Sequence, residues 1–360
     1  MSSTTSTTGI TNSLTAGRLP KWSTWLVLGA SLAIMCAIFG FMAAGSGAEF
    51  NVVGAVVLGT VLFDVAIFVL AYLVEGIRRA KDRLVTSLVV TAFIVALLPL
   101  ISLLFTVISN GVARFDLTYF SSSMRNIVGE GGGALHAVTG TLLITGMAAL
   151  ISVPIGLLTA IYLVEYGKGH LARAITFFVD VMTGIPSIVA GLFAFALFAL
   201  LFSDPGIRFG FGGSIALSLL MIPVVVRSSE EMLKLVPNEL REASYALGVP
   251  KWLTILKIVI PTSIAGITTG ITLAIARVIG ETAPLLIISG FTASMNYDLF
   301  NERMMSLPVF VYTQYANPGS DVQPYLDRAW AGALTLILIV MALNLIARLI
   351  ARIFSPKLGR

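Results

Sequence analysis

The chain has 360 residues, of which 57% are hydrophobic and only 11% charged, and its mean hydropathy is +0.95. So little charge cannot cover a soluble globule, which places the chain in a membrane. The net charge of +5 would suit an anionic partner such as nucleic acid only if the basic residues clustered on one face; they are spread along the loops, and no nucleic-acid partner is expected. Cys36 is the only cysteine, so neither an intramolecular disulfide nor a cysteine-based metal cluster is available.

Residues 1–20 are rich in Ser and Thr with almost nothing to bury, and read as a disordered cytoplasmic tail. A cleaved signal peptide fits less well, because the apolar run that follows spans roughly 20 residues and starts well inside the chain. Crossing a hydrocarbon core of ~30 Å takes roughly 20 helical residues. Eight runs suffice, at 24–43, 51–74, 84–109, 136–162, 175–202, 213–232, 258–288 and 331–353. They are continuous rather than alternating, so they predict helices and not barrel strands.

The expected fold is therefore all-α, an integral membrane protein of about eight transmembrane helices. With that topology sixteen Lys and Arg fall on one side and five on the other, namely Arg114, Arg125, Arg208, Arg303 and Arg328. Arg227 and Arg277 lie within spans and complete the 23. The bias puts both termini and the loop 230–257 in the cytoplasm.

Two outer segments are long. Residues 110–135 hold Phe115, Phe120, Arg125 and the run Gly131, Gly132 and Gly133; residues 290–330 hold Tyr297, Tyr312, Tyr315 and Tyr325. They read either as part of a docking face or as ordinary loops with interfacial aromatics. Pro99, Pro154, Pro186, Pro223 and Pro284 interrupt the spans. Each removes an internal hydrogen bond, which suits a gated pathway, although proline is also commoner in membrane helices than in soluble ones.

Soluble-enzyme chemistry is poorly represented. There is no G-x-x-x-x-G-K-[ST], no H-E-x-x-H and no G-x-S-x-G, and His136 and His170 fall on opposite sides of the membrane. The chain is expected to bind no cofactor and to catalyse no reaction, and any ATP-driven transport would need an ATPase on another subunit.

The cytoplasmic loop has more structure in it. Pro237 is placed to start a helix, Leu240, Ala243 and Leu247 recur at helical spacing, Gly248 suits a left-handed stop, and Pro250 starts a second piece. Two short helices at a corner make either a knob for a partner's groove or an amphipathic pair lying on the membrane. Glu242, Ala243, Ser244, Gly248, Ile258, Ile260 and Pro261 resemble the EAA motif, E-A-A-x3-G-x9-I-x-L-P, of permease subunits in binding-protein-dependent ABC transporters. The spacing matches throughout, and Ser244 and Ile260 are its two mild departures. In that family the knob docks on the ATP-binding subunit, so the resemblance implies that Leu240, Glu242, Ala243, Ser244, Leu247 and Gly248 form the coupling contact.

Three further stretches, Gly184–Val189, Val226–Leu233 and Ala276–Pro284, resemble the phosphate-specific permeases of the PstA type. The resemblance runs from about His136 to the C-terminus and implies a type I ABC permease domain over 136–355. Before it stand the tail 1–20, two extra spans within 21–83 and one helix with an outer loop within 84–135; residues 356–360 form a short cytoplasmic tail. The implied partners are a homologous second permease, two ATP-binding subunits that hold ATP and Mg²⁺, and an external phosphate-binding protein, all at a bacterial or archaeal cytoplasmic membrane. A permease for sulfate or molybdate shares most of these features. An ion-driven secondary transporter would account for buried charges but not for the EAA loop.

The pathway residues follow from depth. Arg277 lies ~28 Å along its helix from Ile258 at ~1.5 Å per residue, too far for easy snorkelling. An ionisable group at that depth costs several kcal/mol unless paired or wet, and so marks a transport route. Glu281, four residues on, shares its face, and Gly266, Gly270 and Ala274 continue that face with small residues. The pair reads either as an anion site, since a guanidinium fork matches phosphate oxygens, or as a self-neutralising pair that fixes helix packing. Arg227 fits phosphate contact or a local salt bridge with Glu230 and Glu231. Asp180, Gly184, Ser187 and Gly191 share one face of the fifth predicted span; Asp180 fits the route or an interfacial cap. Asp64 is given no role.

Overall fold

The computed structural model describes residues 19–20, 22–46 and 50–354. Nearly all of the predicted tail 1–20, and the tail 356–360, lie outside them. Among the described residues every regular element is helical. The chain forms two compact units, one up to Leu104 and one from Phe105 onward.

In the first unit α1 (Ser23–Ser46) and α2 (Val52–Glu75) form an antiparallel hairpin. Two glycines permit the close approach: a Cβ on Gly59 would lie 2.8 Å from a Leu32 methyl, and one on Gly54 2.9 Å from the Phe39 ring. Asn51 caps α2 by accepting from the Gly54 N–H at 2.8 Å. Gly76, with φ at 82°, turns the chain into α3 (Ile77–Gly111), as a residue without Cβ can do at no steric cost. Glu75 is held across that turn. It accepts from Arg83 at 2.6 and 2.8 Å and from the Leu19 N–H at 2.7 Å, with its side chain only 2% exposed.

In the second unit α4 (Leu117–Ser121) precedes α5 (Leu135–Ile161), which ends in a π-helical turn at Tyr162–Tyr166. α5 packs along α8 (Gly210–Lys234), and the two run parallel: Ser214 Oγ donates to the Ile144 carbonyl at 3.0 Å, Ser218 Oγ to Ala148 at 3.4 Å, and Gly156 lies against Val225. Small residues let the backbones come this close, and the hydroxyls find carbonyl acceptors in a dry seam.

Two parallel helices require the chain to return between them. It does so through α6 (Gly169–Thr183) and α7 (Ser187–Phe202), which meet at a 109° bend. The single span predicted at 175–202 is therefore two helices. Pro186 offers no N–H and restricts Ile185, Gly184 closes α6, and α7 restarts at Ser187. Counting the bent pair as one passage makes eight crossings with the seven single helices.

After α8 come α9 (Asn238–Ala246) and α10 (Lys251–Thr254), then a π-helical stretch (Ile255–Val259) leading into α11 (Ile260–Val278). α11 runs antiparallel to α8, with Gly266 at Met232 and Gly270 at Ser228. The predicted span 258–288 also divides, because α11 stops at Val278 and α12 (Ala283–Ile288) begins with Pro284 in its first turn. Then α13 (Leu307–Ala316) leads to α14 (Gln323–Phe354), which starts eight residues before the predicted 331.

The segment 110–135 is fastened by two arginines. Arg328, 1% exposed, donates to the carbonyls of Gly129 at 2.6 Å and Gly131 at 3.0 Å and to Gln314 at 2.9 Å, while Arg114 donates to Gly132 at 2.9 Å. The glycine run thus closes a buried arginine site.

A Cβ on Gly140 of α5 would collide with the Met305 carbonyl oxygen, whereas Gly146 on the same helix has nothing within 4 Å. Gly140→Leu is expected to cost at least the ~1–3 kcal/mol typical of overpacking. Gly146→Leu should be neutral or slightly stabilising in the purified chain. Thermal unfolding of the two variants in detergent checks the contrast.

Candidate functional site

The loop after α8 folds as two short helices at a corner. Pro237 precedes α9, Gly248 adopts φ of 75° and closes it, and Pro250 precedes α10. Glu242, Ala243, Tyr245, Leu247 and Gly248 are all exposed, with Leu247 83% accessible, and Leu240 stands out beside them. Ser244 alone among the predicted contact residues is buried, and its hydroxyl lies 2.8 Å from that of Thr254. Its role in this fold is to join α9 to α10.

What holds the knob is a set of residues that the sequence reading did not single out. Arg241 donates to Glu165 Oε1 at 3.1 Å, to the Leu233 carbonyl at 2.9 Å and to the Val236 carbonyl at 2.5 Å. Glu165, its side chain 5% exposed, stands in the π-helical turn that ends α5. Lys251 donates to the Glu165 carbonyl and lies 4.8 Å from the Tyr166 ring centre. α9 is thereby tied both to the end of α8 and to the end of α5. The signal was present: Glu165 is the only acidic residue between Glu130 and Asp180, at the end of an apolar run, and Arg241 directly precedes the motif.

One helical turn or two above this brace lies a chain of charges. Arg227 pairs with Glu230 at 2.8 Å and with Asp180 of α6, and Lys234 reaches the other Glu230 oxygen at 2.7 Å. The predicted local bridge forms with Glu230, while Glu231 is exposed. Asp180 is a partner from another helix and not a cap. The bend at Pro186 removes the single face on which Asp180, Ser187 and Gly191 were expected. Ser187 is half-buried at the start of α7, and Gly191 lies against Pro284, where a Cβ would come 2.5 Å from the proline Cα.

Arg277 stands apart. The antiparallel register that sets residue 266 against 232 and 270 against 228 brings it level with Met221, near the middle of the 25-residue α8. Gly270 and Arg277 are seven residues apart and share a heading within ~20°, yet Gly270 is buried on Ser228 while Arg277 is exposed. Among the described residues no carboxylate pairs with it. The expected helical neighbour Glu281 is not one, because α11 has already ended at Val278. Glu281 lies half-buried in the break, its N–H donating to the Val278 carbonyl at 3.1 Å. Gly280 and Pro284 are the physical reason the helix does not continue.

The arrangement thus combines an exposed knob with an unpaired cation at mid-membrane level. A family described as the binding-protein-dependent transport system inner membrane component matches residues 152–360. The phosphate transport system permease protein PstA 1 of Mycobacterium tuberculosis is 50% identical over 278 residues, covering 76% of this chain and 89% of that protein. The chain belongs to the PstA type of binding-protein-dependent permeases. The PstA of Yersinia pestis is 40% identical over 274 residues, covering 76% of this chain and 90% of its own. A chain of a bacterial alginate ABC transporter, solved with an alginate-bound periplasmic protein, has the same fold at a TM-score of 0.56 and 14% identity, covering 78% and 97% of the two chains. In this PstA-type chain α1, α2 and α3 precede the residues that the family description matches.

Removing either side of the Arg241–Glu165 pair leaves a buried charge uncompensated, which costs about 3–5 kcal/mol when the site is fully dry and less here, where Arg241 is partly exposed. Arg241→Ala and Glu165→Gln should each raise amide hydrogen exchange across 238–250 while leaving the α5–α8 seam protected. Unchanged exchange in the loop would show that the brace does not hold it.

Proposed function

We infer that the chain is the permease subunit of an ATP-driven phosphate importer and lines half of its pathway. The observation that carries this reading is Arg277. A guanidinium exposed on its own chain at mid-membrane level cannot face hydrocarbon without a cost of several kcal/mol, so it faces water or a second permease across a pathway. There its planar fork suits the oxygens of an oxyanion. The names of the relatives supply the choice of phosphate. Arg227, Asp180 and Ser187 lie nearer the inner end of the same route, and Arg227, already shared between two carboxylates, is a positioning residue there. Glu281, in the break between α11 and α12, keeps the anion from binding too tightly and can take up the proton of monohydrogen phosphate.

The chain itself hydrolyses nothing. In this reading ATP and Mg²⁺ are held by two ATP-binding subunits, and the exposed face of α9, through Glu242, Ala243, Leu247 and Leu240, fits their groove. A homologous second permease and an external phosphate-binding protein complete the complex. The sixteen-to-five distribution of Lys and Arg supports cytoplasmic termini and a cytoplasmic α9. Motion of the ATPases would reach the membrane through Arg241 and Glu165 into α5 and α8, and from α8 to α11, which carries Arg277.

A charge-assisted hydrogen bond contributes about 1.5–3 kcal/mol, so Arg277→Gln should lower phosphate uptake by the reconstituted complex roughly 10- to 100-fold, with Arg277→Lys intermediate. Normal uptake by Arg277→Gln overturns the pathway reading. Sulfate and molybdate should not compete with radiolabelled phosphate; equal competition would favour a general oxyanion permease. Glu242→Arg is expected to abolish co-purification of the ATPase, and retained association with full transport overturns the coupling assignment.

A further inference from the structure

The first unit holds a feature that the transport reading does not use. Between the α1–α2 hairpin and α3 runs a cleft of about 1310 Å³, whose exposed lining is mostly apolar, with side chains such as Val56, Phe63, Val90 and Leu98. Its lining on α3 extends from Arg79 to Ser102, about 35 Å at ~1.5 Å per residue, so it covers the ~30 Å hydrocarbon core from one face to the other.

Charge is confined to one end. Glu75, Arg79, Asp82 and Arg83 line the mouth. Glu75 and Arg83 neutralise each other at 2.6 Å. Arg79 and Asp82 are left, three residues apart on α3 and with no hydrogen bond or ion pair to any described residue. Arg78 and Lys81 do not line the cleft. The mouth therefore offers, above a long and mostly apolar slot, a guanidinium within electrostatic reach of Glu75 and a carboxylate, neither held in a hydrogen bond by a described residue. An anionic headgroup would satisfy the arginine but meet the repulsion of Asp82; a zwitterion satisfies both.

We propose that this cleft is a binding site for a zwitterionic phospholipid with a primary ammonium headgroup, of the phosphatidylethanolamine class. Arg79 donates to its phosphate, Asp82 accepts from its ammonium, and its acyl chains lie along α3 as far as about Val90, half the ~30 Å core. The two N-terminal helices then form, with α3, a unit that holds a lipid between its helices.

The test is native mass spectrometry of the full chain, purified in mild detergent and offered equimolar phosphatidylethanolamine and phosphatidylglycerol. Wild type is expected to retain phosphatidylethanolamine in preference, by about fivefold, the most that one partly exposed ion pair provides. Asp82→Asn should erase or reverse that preference, Arg79→Gln should lower retention of both lipids, and Val90→Trp should block both by filling the slot. Equal retention of the two lipids by wild type overturns the proposal, as does a Val90→Trp variant, folded by its unchanged melting temperature, that keeps its lipid. Displacement of the adduct by inorganic phosphate would assign Arg79 to free phosphate and overturn it as well. Arg79→Gln gives an independent reading should Val90→Trp fail to fold.

Discussion

The parallel seam between α5 and α8 is the constraint on which the rest of the permease unit depends. Ser214 donates its hydroxyl to the Ile144 carbonyl of α5, the Ser218 hydroxyl lies between the carbonyls of Ser214 and Ala148, and Gly156 admits Val225. Because the two helices run the same way, the chain has to return between them, which is why α6 and α7 together make one passage despite the bend. Because both end at the same level, the turn that finishes α5 and the loop that follows α8 meet, and Glu165 can take Arg241. α11 then packs antiparallel on α8 through Gly266 and Gly270, and that register sets the height of Arg277.

Charge in this unit is treated in two ways. Where a charge is buried, in the ion pair of Glu165 with Arg241 or at Arg328 against the carbonyls of Gly129 and Gly131, its hydrogen bonds join segments distant in sequence. Such pairs gain little net stability over apolar packing but fix one arrangement strictly, since any other leaves a charge unpaired in a dry site. Arg277 is the opposite case, a charge kept at mid-membrane level with no ion-pair partner among the described residues. Arg227 and Arg241 have carboxylate partners and Arg328 has acceptors within the chain, and this contrast with Arg277 is what the proposed anion pathway rests on.

Much of the architecture was legible in residue order. The number of crossings follows from apolar run lengths, because lipid demands continuous helices of a set length. The knob followed from Pro237, Gly248 and Pro250, residues whose backbone restrictions act locally. The breaks at Pro186 and Pro284 were visible as prolines, but their size was not. A proline in a membrane helix ranges from a slight kink to a full stop, depending on what neighbouring helices take up. Here Gly184 beside Pro186, and Gly280 before Pro284, turned both into ends.

By itself, then, the sequence determined the class of the protein, the apolar runs that cross the membrane and the two-helix loop, all of which rest on hydropathy and on local backbone limits, but not where two of those runs break or that Ser244 is buried. Only the tertiary structure decided which charges meet. Asp180 turned out to belong to Arg227 across a helix boundary, Glu165 to Arg241 across 76 residues, and Glu281 to no salt bridge with Arg277 at all. Helical periodicity can predict a partner only while the helix continues. Once a chain breaks, pairing is set by packing, and packing depends on residues that lie far apart in the sequence.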